Sequence, residues 1–437
     1  MNCRNFITFW LCRVTAAFLF VSIAPSRAGD TNLEEQVQLL RDQNAMLEQQ
    51  VQKQSQSLDA LTQKVQGLEA AKSEPEGATS ESSTPAKSGF NLGSVDLSGE
   101  GGIAFFKTGP EGFAPDSEFV VDEARLFVEA PIWKEVYFYG DVDLATRENT
   151  DTQVYLGELY LDCEDVSQLW GQDDQLNVRA GRMYIPFGEE YLTRYAIDDP
   201  LILHSVSDFW GIDSGVEIYG ALGKFSYVVA VQNGGGDYAQ YYNDDKSVAG
   251  HVSFDPNRHW HFSVSGMRTG DLNAQNDGSS AEWFANETLQ SIGSPATTTF
   301  HLDAVELDMT ARWASGYAQA FGGYAQYDDN DPAADNRRDI FFYSAGVVQN
   351  LPEKFYAAAR FSEVIADKGI PLLGNGDYDD YGDPLTADLW RLSLGLGYRF
   401  SDRLILKTEY AFEDGRQVDG ESRDQENFFG TEVAFKF

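Results

Sequence analysis

Cysteine is nearly missing from this chain. Among 437 residues only Cys3, Cys12 and Cys163 carry a thiol. The first two lie in an N-terminal segment expected to be removed, so Cys163 has no partner and an internal disulfide is excluded. Histidine is scarce as well, with five copies. His259 and His261 share a strand face, but two imidazoles without a third ligand make a poor zinc site. Positive charge is in deficit: 32 Lys and Arg stand against 69 Asp and Glu, a balance of −37. Phosphates would be repelled, which excludes nucleic acid as a partner. Outside the N-terminus there is no run of about 18 apolar residues, so no membrane helix is expected.

Signs of an enzyme are also lacking. "NGGGD" (233–237) has no following Lys-Ser/Thr and reads as a turn rather than a phosphate loop. The Asp-rich loops do not follow the EF-hand pattern, which leaves loose Ca²⁺ binding or plain solvation. Carboxylate pairs are too abundant to single out a glycosidase. No triad for a barrel hydrolase can be found. No enzyme activity and no cofactor are expected.

What is present divides the chain into segments of different physics. Arg4 and Arg13, the apolar run "VTAAFLFVSIA" (14–24) and the small residues of "SRA" read as a signal peptide over 1–28, cleaved after Ala28. Within 29–71, Leu33, Leu40, Leu47, Gln54, Leu61 and Leu68 alternate with Val37, Asn44, Val51, Leu58 and Val65 at three-four spacing. That heptad pattern predicts a periplasmic α-helical coiled coil about 54 Å long. A single amphipathic helix packed on a globular core is the alternative. Residues 72–92 are rich in Ser, Thr, Pro and Glu and read as a flexible linker.

From 93 to 437 the apolar period is two. Sixteen candidate strands can be counted, and short turns such as "PIWK", "DPNR", "WASG", "LPEK" and "FSDR" alternate with long polar connections such as 184–212, 270–298 and 366–387. The exception is 164–173, which should be short. Sorting of loops by length is expected when one end of a barrel faces the periplasm and the other the outside. In "LWRLSLGLGYRF", Trp390, Leu392, Leu394, Leu396, Tyr398 and Phe400 point one way. Arg391, Ser393, Gly395, Gly397 and Arg399 point the other. Apolar outside and small or polar inside describes a wall between lipid and water. The predicted fold is an all-β transmembrane barrel of 16 antiparallel strands, preceded by the coiled coil. Its location would be the bacterial outer membrane, in contact with outer-membrane lipid. Trp260, Trp313, Trp390 and Phe400 suit interfacial girdles. The final "FGTEVAFKF" would close the barrel, with Val433, Phe435 and Phe437 on the lipid face as a signal to the barrel assembly machinery.

One long connection, "GRMYIPFGEEYLTRYAIDDPLILHSVSDFWGIDSG" (181–215), is too apolar for an exposed loop and suits one folded into the lumen. Here the sequence resembles a known family. "GRMYIPFGEE" is similar to the "G-[RK]-φ-x-x-P-F-G-x-E" stretch of the phosphate-selective porin O/P family, and the resemblance covers 94–437. It implies a sixteen-stranded trimeric outer-membrane channel whose constriction holds Arg182, Tyr184, Pro186, Phe187, Gly188, Glu189, Glu190 and Arg194. It also implies a ladder of inward cations. Pore-lining candidates here are Arg125, Arg179, Arg312, Arg360, Arg391, Arg399 and Lys407. They are mixed with Asp141, Asp143, Glu129, Glu158, Glu306, Asp308 and Glu409. Paired charges that only hold water, an anion ladder, and a cation or mixed pore all remain open. The acidic stretches "QYDDNDPAADN" (326–336) and "GDYDDYGD" (376–383) would deplete anions at the mouth. The expected function is a homotrimeric porin passing small hydrophilic solutes or ions, with phosphate among the candidates. The alternative is an envelope anchor acting through the coiled coil.

Overall fold

The computed structural model describes residues 90–91, 95–146, 154–172, 174–234, 245–273, 296–333, 335–370, 372 and 385–437. The signal peptide, the heptad segment, nearly all of the linker and the acidic stretch 376–383 lie outside the described residues.

Sixteen strands wind up and down around one sheet. They are β1 (Asp96–Thr108), β2 (Glu118–Trp133), β3 (Val136–Ala145), β4 (Tyr155–Cys163), β5 (Asn177–Tyr184) and β6 (Ile212–Leu222). Next come β7 (Phe225–Gln232), β8 (Ser247–Asn257), β9 (Trp260–Arg268), β10 (Thr299–Trp313) and β11 (Gly316–Asp329). The series ends with β12 (Arg338–Asn350), β13 (Phe355–Ile370), β14 (Thr386–Ser401), β15 (Leu404–Gln417) and β16 (Phe428–Lys436). Two-residue pieces, Phe90–Asn91 and Leu272–Asn273, extend the edges of β1 and β10. Every strand pairs antiparallel with its neighbours in sequence, and β16 returns to β1, from Phe428 opposite Thr108 to Lys436 opposite Glu100. Closure leaves no strand edge exposed, which lipid requires. No helix among the described residues is long and apolar enough to cross a membrane.

At one end the turns are tight. Lys134–Glu135, Gly223–Lys224, Arg258–His259, Ala314–Ser315 and Asp402–Arg403 are two-residue connections. The sequence exception between β4 and β5 is a longer connection at the same end, where Val166–Trp170 form a 3₁₀ turn. Asp165 braces it, accepting from the Asp174 N–H at 2.6 Å.

The outer face is apolar. Val216, Ile218, Val229, Val231, Val252, Leu307, Leu394 and Leu396 are all exposed. A continuous exposed aliphatic belt is unstable in water and suits lipid. Aromatic residues border it at both ends: Trp133, Trp260, Trp313, Phe400 and Phe437 near the tight turns, and Phe119, Phe341, Phe412 and Phe429 near the long loops. Alternation in the sequence alone does not say which face of 213–232 and 315–327 is inward. Glu217 and Tyr219 point inward, as do Tyr317 and Gln319, while Val216 and Ile218 point out. The inner face departs from the small-and-polar expectation. On β8–β14, towards the long-loop end, Met267, Phe300, Leu302, Tyr327, Ile340, Phe342, Val364 and Leu389 form a buried apolar cluster inside the barrel. Its cover is the loop described below, so the inner wall here is packed core and not wetted wall.

The closing seam depends on glycine. A Cβ at Gly99 would lie 2.7 Å from Cζ of the Phe437 ring and 2.8 Å from the Arg125 carbonyl oxygen. The Phe437 N–H donates to the Gly99 carbonyl at 2.9 Å. Gly99→Val is expected to cost about 1–3 kcal/mol through overpacking. Gly266, with open space beside it, should take the same change with less than about 0.5 kcal/mol. The temperature at which the compact barrel loses its fast mobility on a gel reads both.

Candidate functional site: a loop folded into the barrel

Residues 185–211, between β5 and β6, turn back into the lumen. The loop is closed at its base by the Ile185 N–H donating to the Gly211 carbonyl at 2.8 Å. Above this, Phe187 packs on Phe209 with ring centroids 4.7 Å apart, and Phe209 stacks on the wall residue Phe342. Ile185, Phe187, Val206 and Phe209 thereby cover the inner apolar cluster. Gly188 has φ +67°, a left-handed conformation that glycine takes without strain. Within the loop Arg194 forms an ion pair with Asp208 and lies 4.0 Å over the Trp210 ring.

A loop buried in this way carries backbone groups with no sheet or helix to satisfy them. Inward charges on distant strands take that role. Lys407 on β15 donates its ammonium to the carbonyls of Ala196 at 2.8 Å, Leu201 at 2.9 Å and Asp199 at 3.3 Å, and pairs with Glu432 at 2.9 Å. Arg391 on β14 donates to the His204 carbonyl at 2.8 Å and to Glu413 at 2.6 Å. Arg360 on β13 donates to the Leu203 carbonyl and to Glu190. In the opposite sense Glu409 accepts from the N–H groups of Ile202 and Leu203, and Glu123 accepts from that of Ala196 at 2.7 Å. Charge-assisted bonds of this kind are stronger than neutral ones. The wall also leaves room for the loop. A Cβ at Gly395 would lie 2.5 Å from Leu201 Cδ2, and one at Gly430 3.0 Å from Ile202 Cδ1.

The opposite side of the lumen stays open. A space of about 370 Å³ separates the loop residues Tyr191 and Leu192 from Tyr160, Arg179, Glu217 and Tyr219 on the wall. A second, of about 320 Å³, lies between Glu190, Leu192 and Thr193 on the loop and Asp308, Arg312 and Gln319 on β10 and β11. Leu192, on the 3₁₀ turn Glu190–Thr193, borders both and is exposed. The wall facing this turn is stiffened by stacking. Phe127, Tyr139 and Tyr160 stack in a row across β2–β4. Arg179 continues it, 4.4 Å from the Tyr160 ring and 4.9 Å from the Tyr219 ring.

The predicted pore residues fall into three groups. Arg360, Arg391 and Lys407 point inward but lie beneath the loop; Arg391 and Lys407 are each only 1% exposed. Arg125 and Arg179 face the lumen within carboxylate clusters: Arg125 with Glu123 at 2.7 Å and Asp143 at 3.3 Å, Arg179 with Asp162 at 3.0 Å and Glu217 at 3.1 Å. Asp141 is buried beside Arg125. Arg312 is exposed on the tight-turn side, and Arg399 lies 4.1 Å over the Tyr356 ring, donating to Asn350. Of the motif residues, Arg182 is held in the wall, donating to the Leu156 and Gly157 carbonyls, and the Tyr184 hydroxyl accepts from Arg125. Pro186 and Phe187 are buried, and Glu189 and Glu190 reach the edge of the open side. Glu123, Ser362, which accepts from the Val206 N–H at 3.0 Å, and the carboxylates Glu413 and Glu432 that pair with Arg391 and Lys407 are not apparent in the motif.

No protein-family model and no curated protein matches this chain. Among solved structures the barrel is similar to OmpT, an outer membrane protein of Vibrio cholerae, with 13% identity and a TM-score of 0.53, covering 78% of this chain and 97% of that one. It is similar to the outer membrane channel DcaP of Acinetobacter baumannii, with 13% identity and a TM-score of 0.53 over 80% and 99% of the two chains. An anion-selective porin from Comamonas acidovorans matches with 11% identity and a TM-score of 0.50 over 78% and 98%. Likeness at these identities shows the fold, a closed sixteen-stranded antiparallel barrel of the outer-membrane porin type.

Proposed function

We propose that this protein is a passive outer-membrane channel for small hydrophilic solutes, narrowed by the loop 185–211. The observation that carries this reading is the loop itself, seated inside the barrel by wall charges while the side facing Tyr160 and Arg312 remains open. A barrel that served only as an anchor would have no use for a loop packed into its lumen. The tight-turn end would face the periplasm, and Val433, Phe435 and Phe437 would present the closing strand to the assembly machinery. A homotrimer is consistent with the trimer form described for Vibrio cholerae OmpT.

The charge arrangement favours cations over phosphate. The cation ladder implied by the family resemblance requires free rungs, yet Arg360, Arg391 and Lys407 are bound to loop carbonyls and carboxylates. Arg179 is flanked by Asp162 and Glu217. Asp308, Glu189 and Glu190 line the other open space. The field at the constriction is therefore net negative and should enrich cations, more strongly at low salt.

The test is single-channel recording in planar bilayers under a KCl gradient at two ionic strengths. The expected result is discrete conductance steps with a reversal potential on the cation side that shrinks as salt rises. A silent protein would overturn the channel reading, and an anion-selective one would overturn the charge reading. Arg312→Ala and Arg399→Ala should each raise the cation-to-anion permeability ratio, by about two-fold for one charge near the path in a water-like medium. Both lie beside the lumen and neither anchors the loop.

A further inference from the structure

His261 links the loop to the wall through two carboxylates. Its Nε2 is 2.7 Å from Glu189 Oε1 on the loop, and its Nδ1 is 2.9 Å from Asp255 Oδ1 near the tight-turn end of β8. A neutral imidazole has one N–H, and its other nitrogen only accepts; an ionised carboxylate also only accepts. Both contacts are hydrogen bonds at once only when His261 is imidazolium. The proton therefore cancels one negative charge beside Glu189, which sits at the edge of the open space shared with Asp308 and Arg312. Histidine is the side chain whose charge changes in the physiological range.

We infer that His261 is a specificity-determining residue: protonated, it masks Glu189 at the constriction, and on losing its proton it exposes that carboxylate to the permeating ions. The inference rests on the channel reading above. The sign follows from the count of charges. At low pH His261 neutralises one of its two partners. As pH rises one contact loses its donor, the constriction gains one negative charge, and preference for cations increases. Other groups face the same place: Asp255 and His251 from β8, and Glu306 and Asp308 from β10, with the Ser263 hydroxyl donating to Asp308 at 3.0 Å. His261 itself acts electrostatically on His251 and Asp308, so the difference between the wild-type and His261-variant profiles reads His261 together with its effect on these neighbours.

The experiment measures the K⁺/Cl⁻ permeability ratio of the full-chain protein in planar bilayers between pH 5.5 and 8.5, approximately. The wild type should rise by about two- to three-fold across this range. His261→Gln should match the wild-type ratio at high pH and lie above it at low pH, so that the rise shrinks. Glu189→Gln, which keeps the His261–Asp255 contact and guards against a folding defect in the first variant, should lower the ratio across the range while a rise remains. A His261→Gln profile that tracks the wild type, or a conducting wild type with no pH dependence, overturns the inference. A wild type that never conducts overturns the channel reading instead, and this inference with it.

Discussion

Replacing Lys407 with methionine should release the loop and raise single-channel conductance by about two-fold or more, as the lumen widens and its resistance falls. The size of the effect follows from what the ammonium does. It is 1% exposed, satisfies three loop carbonyls and pairs with Glu432, which is also buried. Methionine keeps most of the aliphatic stem and removes every one of those bonds. Losing one partner of a buried ion pair costs about 3–5 kcal/mol, against about 1 kcal/mol for an ordinary hydrogen bond. Water entering between loop and wall relieves that penalty, so the favoured outcome is a displaced loop in an intact barrel. Circular dichroism should show unchanged strand content while conductance rises. Wild-type conductance in a folded variant would show that the loop is held without Lys407.

The second large effect requires no change of charge. Gly395 faces Leu201 so closely that even a methyl group would lie 2.5 Å from Leu201 Cδ2. Leucine at 395 would occupy the space of a buried stretch of the loop, where Leu201, Ile202 and Leu203 are each at most 2% exposed. Either the loop lifts off β14 or the wall distorts. Overpacking of this kind costs about 1–3 kcal/mol, and the loop is the softer element. Conductance should rise with little change in ion preference, since no charged group is altered. Lys407→Met should instead shift preference as well, because Glu432 loses its counter-charge. Two variants that open the pore equally but differ in selectivity would separate the steric seat of the loop from its electrostatic seat. Unchanged conductance in a folded Gly395→Leu protein would place the obstruction elsewhere.

The barrel was legible because each of its strands reports its own environment. Alternation in "LWRLSLGLGYRF" places Leu394 and Leu396 in lipid and Arg391 inside without reference to any other segment, and β14 follows it residue by residue. The loop's apolar content likewise announces that it is covered. Its cover was not legible. Ile202 and Glu409 are 207 residues apart, and Arg391 and His204 are 187 apart. A two-residue period says that Arg391 and Lys407 point inward; it cannot say whether water or a loop carbonyl meets them. For the same reason the inner cluster around Phe300 and Ile340 ran against the expectation of a wetted wall. Around Ile340 both faces are apolar, and around Phe300 the pattern inverts, with Phe300 and Leu302 inside and His301 and Asp303 outside, so the period alone does not say which face meets water.

Because the loop leaves the chain between the fifth and sixth strands but most of its charged anchors lie on the thirteenth to sixteenth, its seat is incomplete until synthesis and strand addition are nearly finished. Contacts across so long a stretch of chain form late. A barrel arrested before its last hairpins would be an unobstructed hole, and the act that seals the wall would also install the filter.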